Sequence, residues 1–83
     1  MPRYFFHVFD HHGELRDGEG VELSDSTAAD GFAIEAARSL ICADVMSGQI
    51  GLEGRIDIAG PDGQTLGSVT YREAVGLPER MED

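Results

Sequence analysis

The chain has no lysine and no asparagine, and its six basic residues, all arginine, stand against 16 acidic ones for a formal net charge of -10. Proteins that grip DNA or RNA displace phosphate counterions with Lys and Arg, and anionic membrane surfaces are held in the same way. The balance therefore argues against nucleic acid and against a membrane as direct ligands, while leaving room for a basic protein partner or for plain solubility. A single cysteine, Cys42, has no intramolecular partner, which fits a reducing compartment. It falls within an expected helix and reads as a small buried hydrophobe, not a reactive thiol. No run approaches the roughly 20 apolar residues that cross a bilayer, and no basic segment precedes an apolar one at the start, so the expected location is cytoplasmic. Repeats, low-complexity tracts and linkers are also missing. The 83 residues read as one domain over residues 1–75 and an acidic tail over 76–83.

What is present begins with the segment Arg3 to Phe9 (RYFFHVF), an expected strand that is apolar on both faces. Alternation points Tyr4, Phe6 and Val8 one way and Phe5, His7 and Phe9 the other. One helix covers only one side of a small sheet, so the second face calls for a further copy, a partner or the chain's own tail. Asp10 to Gly18 is polar and glycine-punctuated and reads as a loop. Glu19 to Leu23 reads as a short edge strand with Val21 and Leu23 on one face.

Asp25 to Ser47 carries a helical period, with capping oxygens at Ser24, Asp25 and Ser26 and Gly48 placed for a left-handed C-terminal cap. Ala28, Ala29, Phe32, Ala33, Ala36, Leu40, Ala43 and Met46 form the expected core arc. Ile34, Ile41 and Val45, with Ala37 at the margin, form a second stripe roughly opposite that a lone helix on a sheet would not need. Gly31 reads either as an exposed weak point or as a site of close backbone packing. Past a connector anchored by Ile50 and Leu52, Gly54 to Ala59 alternates as a half-buried strand, and Gly60 to Gly63 spells a turn. Gln64 to Arg72 returns as a strand with Val69 and Tyr71 on one face. A bulge near Gly67 or Ser68 would bring Leu66 to the core. From Glu73 onward no further element is expected, although Val75, Leu77 and Met81 could lie over an uncovered surface. The fold class that follows is α+β, in the order β-β-α-β-β: an antiparallel four-stranded sheet with the first strand inside and one long helix on one face.

The stretches MPRYFFHV, DGEGVEL led by Asp17, EAARSL, GRIDI and YREAV resemble a family of short bacterial proteins of the DUF6894 type, a domain of unknown function, over Met1 to about Val75. The resemblance implies a fold and no activity, ligand or catalytic residue. The chain departs from the family pattern at Phe9, where a charged residue is common, and at His11 and His12, where small residues are usual. A shorter likeness is similar to the N-terminal half of HicB-type antitoxins: Tyr4, Phe6 and Val8 in a strand, a glycine-containing loop, Glu22 to Asp25, and Ala29 and Ala33 in a helix. It implies a small basic toxin as partner.

Candidate chemistry is sparse. In a continuous strand His7 and His11 would sit about 13 Å apart, too far for one ion. A turn at Asp10 would gather Asp10, His11 and His12, the residues to hold a metal if there is one, but solvated loop histidines are the expectation, with no metal and no cofactor. Glu14, Asp17, Glu19 and Glu22 lack the EF-hand spacing and read as a solvated acidic edge. Gly18 and Gly20 form a GxG without the rest of a phosphate-binding fingerprint. No nucleophile has a His and an acid at recognisable spacing, so the chain reads as non-enzymatic. The expected role is an accessory protein-interaction module, a homodimer joined through Phe5, His7 and Phe9 or through Ile34, Ile41 and Val45.

Overall fold

The computed structural model describes residues 1–76. The elements run β1 (Arg3–Asp10), β2 (Gly13–Leu15), β3 (Val21–Glu22), α1 (Ser26–Met46), β4 (Arg55–Ala59), β5 (Thr65–Thr70) and α2 (Tyr71–Ala74). The sheet order is β2-β1-β4-β5, all antiparallel, and β3 also pairs with β1. The fold is α+β. The first strand is interior, as its two-sided pattern requires: β4 pairs along one edge through Phe5 to Phe9. The opposite edge is shared by β2 at Val8 to Asp10 and β3 at Arg3 and Tyr4.

α1 begins where Asp25 accepts the Ala28 N–H at 2.9 Å. It ends in a Schellman motif: Gly48, at φ 89°, donates to the Val45 carbonyl and Gln49 to the Asp44 carbonyl, each at 2.9 Å. The buried stripe is Ala29, Ala33, Ala37 and Ile41, one residue per four. Three alanines in that row let the helix backbone lie close to the sheet. Each step of four turns the stripe by a further 40° or so, and the helix crosses the twisted sheet accordingly. Against it pack Tyr4, Phe6, Ile56, Ile58, Val69, Tyr71 and Ala74.

Several expectations change. The core arc is rotated: Ala37 and Ile41, assigned to the far stripe, are in the core, whereas Ala43 and Met46 are exposed. Helical periodicity alone drew that arc, but the alanine row decides which face comes closest to the sheet. Cys42 is exposed, not buried. The loop after β1 contains a strand, β2, and the Glu19 to Leu23 strand contracts to Val21–Glu22, which makes five strands. The bulge does lie beside Gly67, where Ile58 pairs with Gly67 and Ala59 with Thr65, but it ejects Leu66, which is 55% exposed. The last strand stops at Thr70, because Thr70 and Glu73 form a reciprocal capping box that starts α2 and swings Tyr71 into the core. Val75 is largely exposed. Leu77, Met81 and all but the first residue of the expected tail lie outside the described residues.

Gly31 has open space where a Cβ would stand and is exposed, so it is a weak point of the helix and not a close contact. Gly31→Ala is expected to raise stability by about 0.5–1 kcal/mol, read as a higher urea midpoint at unchanged slope.

Candidate functional site

Three features outside the core hold the chemistry. The first is the sheet face opposite both helices. β1 presents Phe5, His7 and Phe9 there, all half-buried, paired across to Ala59, Asp57 and Arg55 of β4. The Arg55 guanidinium lies 4.4 Å from the Phe9 ring centroid and that of Arg16 lies 5.4 Å from it. Each guanidinium has its own carboxylate, Arg55 with Asp57 at 2.9 Å and Arg16 with Glu14. The helix stripe offered as an alternative surface does not hold together. Ile41 is 8% exposed within the chain's own core, Ile34 is half-buried against that core, and Val45 is 49% exposed.

The second is the loop led by Asp17. Between its pairings with β2 and β3, the edge of β1 has a gap, and Asp17 fills it. Its Oδ2 accepts the Phe6 N–H at 3.1 Å, and its Oδ1 accepts the N–H groups of Glu19 and Gly20 at 3.0 Å each. Its own N–H donates to His7 Nδ1 at 3.0 Å, so neutral His7 carries its proton on Nε2. Burial pushes the Asp17 pKa up, but the N–H groups of Gly20, Glu19 and Phe6 outweigh it and hold the carboxyl below its usual range. The loop closes tightly. Gly20 sits at φ +75°, where a Cβ would come within 2.9 Å of the Tyr4 carbonyl oxygen, and Arg3 donates to the Glu19 carbonyl at 2.7 Å. Asp17 is therefore not part of a solvated edge, and two of the loop's amides point at its carboxylate. The signal was present in D-G-E-G, an Asx-type turn in which the side chain accepts from residues two and three ahead.

The third is the β1–β2 turn. Asp10 Oδ1 accepts the His12 N–H at 2.9 Å, and its Oδ2 accepts the Tyr71 O–H at 2.7 Å. Tyr71 has no exposed surface, and burial, the Asp10 hydrogen bond and the charges of Asp10 and Asp44 push its phenol far above the ordinary range. Asp10 thus ties the turn to the core. The turn carries His11 and His12 to Asp44 of α1, with His12 Nε2 at 3.0 Å from Oδ1 and His11 Nε2 at 3.4 Å from Oδ2. The Asp44 hydrogen bond, opposed by desolvation and reinforced by the charges of Asp44 and Asp10, raises the His12 pKa. His11 lies flat against Gly51, where any Cβ would collide with the ring. Beside the turn, Val8, Leu15 and Leu40 wall an apolar groove of about 330 Å³. Of the three residues singled out by sequence, His11 and His12 come together and Asp10 supports them from behind. Asp44 was missed. It is the sole acidic residue in the last three turns of α1, but the register of helix on sheet cannot be read from sequence.

A family model described as Domain of unknown function (DUF6894) matches residues 3–72. The chain belongs to the DUF6894 family. No curated protein and no solved structure matches it, and no comparison supports the HicB likeness. The matched span runs from the start of β1 into α2, so in this family member the Asp17 loop, the alanine stripe and Thr70 fall inside the family's boundaries, while Glu73, the other half of the capping box, stands one residue past them. No helix of the described residues is long and apolar enough to cross a membrane.

Proposed function

We propose that this DUF6894 protein is a non-enzymatic interaction module that self-associates through the outer face of its sheet. The observation carrying the proposal is the row Phe5, His7, Phe9, half-buried along the central strand on the face opposite both helices. Aromatic and arginine side chains together are the composition of interface centres. A second copy suits this face despite a chain charge of -10, because Arg16 and Arg55 are each neutralised by a neighbouring carboxylate and the patch is close to balanced. A twofold contact then brings stacked Phe9–Arg55 pairs together without the repulsion felt elsewhere on the surface. Asp10 and Asp17 give their oxygens to backbone N–H groups and the Tyr71 O–H that hold the fold, which favours binding over catalysis.

Light scattering on the full, tag-free chain at tens of micromolar is expected to give twice the chain mass, and Phe9→Glu to return it to the single-chain mass with helical content retained. A single-chain mass for the wild type, or a Phe9→Glu variant that still doubles, would overturn the proposal.

A further inference from the structure

We propose that His11 and His12 of the β1–β2 turn and Asp44 of α1 form a binding site for one divalent transition-metal ion of the zinc class. One ligand atom from each of the three lies within 4.8 Å of the others. The two imidazole Nε2 atoms approach opposite oxygens of a single carboxylate at 3.0 and 3.4 Å. Donors held about 2.0–2.1 Å from a tetrahedral zinc stand about 3.3 Å from each other, so each histidine–carboxylate distance already matches and the widest donor gap, at most 4.8 Å, has to close by up to about 1.5 Å. Nitrogen and carboxylate donors without thiolate suit zinc and its late first-row neighbours better than calcium or magnesium. Three protein donors leave a fourth position open, the pattern of a site that takes water or a group from a partner.

The surroundings support this arrangement. The Asp44 side chain is only 14% exposed, which keeps the anionic donor in place, while the histidines face outward and give an ion access. Asp10 holds the His12 backbone from behind and is itself held by Tyr71, so the turn is anchored to the core. The bare Cα of Gly51 makes room for the His11 ring where any side chain would displace it. The histidine rings are neighbours, 4.1 Å apart between centroids and tilted by 39°. The site does not depend on self-association, because none of its residues belongs to the Phe5, His7, Phe9 row.

The test is calorimetric titration of the full, tag-free chain with zinc alone, paired with thermal melting. One ion per chain is expected, with a rise in melting temperature. His11→Ala, His12→Ala and Asp44→Asn are each expected to weaken binding by more than the roughly 10–100-fold that loss of an outer-shell partner brings. The atoms a Cβ at Gly51 would meet all belong to the exposed ring of His11, so the zinc-free melting temperature of Gly51→Ala is expected to match the wild type while affinity falls at least about tenfold. Cys42→Ser is expected to bind as the wild type does, which separates this site from the exposed thiol. Failure of the wild type to take up stoichiometric zinc, or full uptake by the His11→Ala, His12→Ala double variant, would overturn the proposal.

Discussion

Tyr71→Ala is expected to lower the unfolding free energy by about 3–5 kcal/mol, the usual range for truncating a large buried aromatic residue. Small domains have about 5–15 kcal/mol in total, so the variant would be at the margin of folding. Tyr71 has no exposed surface, fills the joint between β5, α2 and α1, and donates its N–H to the Gly54 carbonyl at 2.9 Å. Gly54 is shaped to it: a Cβ there would stand 2.7 Å from the Tyr71 ring. Truncation also removes the O–H that Asp10 accepts at 2.7 Å. Tyr71→Phe isolates that part. It keeps the ring and is expected to lower stability by about 1.5–3 kcal/mol, the worth of a hydrogen bond to a charged acceptor. Urea melts at neutral pH check both. A Tyr71→Phe variant as stable as the wild type would show that the Asp10 link contributes nothing, and a Tyr71→Ala loss below about 1 kcal/mol would refute the packing argument.

Asp17→Ala is expected to lower stability by about 2–3 kcal/mol, because three backbone N–H groups lose a charged acceptor and that of Phe6, on the central strand, is left facing a gap. The same residue sets a pH dependence. Its pKa in the folded chain lies below its unfolded value, so the carboxylate's contribution is fully present above an unfolded pKa of about 3.9 and is lost as pH falls through the folded value beneath it. Asp17→Asn keeps the shape and removes the titration. The wild type is therefore expected to be the more stable of the two at neutral pH, with the difference narrowing below about pH 4. Urea midpoints of both chains between neutrality and strong acid test this. A constant difference over that window would contradict it.

The elements that local rules specify were legible in the sequence. The helix ends were readable because Asp25 and Gly48 are capping residues by chemistry, and the interior place of β1 because both of its faces are apolar. The α2 turn was hidden in T-Y-R-E: alternation of Val69 and Tyr71 reads as strand, and the Thr70–Glu73 capping box overrides it. Leu66 was assigned to the core on hydrophobicity, whereas the bulge at that point has no inward place for it. The helix face was misread because small residues decide the distance of approach, a property of the pair of surfaces and not of the helix. Candidate-site residues divide in the same way. His11 and His12 are adjacent in the chain and could be grouped by sequence. Asp44 joins them only because α1 crosses the sheet at one angle, and its separation from His12 by 32 residues leaves no local trace.

The central functional claim, that the aromatic face of the sheet is a contact between two copies, is tested most directly by small-angle X-ray scattering of the tag-free chain over a concentration series. A single copy has a Cα radius of gyration of 13.0 Å. The expected result is a forward intensity approaching twice that of one chain and a radius clearly above the single-copy value, both reverting in Phe9→Glu. Scattering that stays at one chain mass and near that radius across the series would contradict the account.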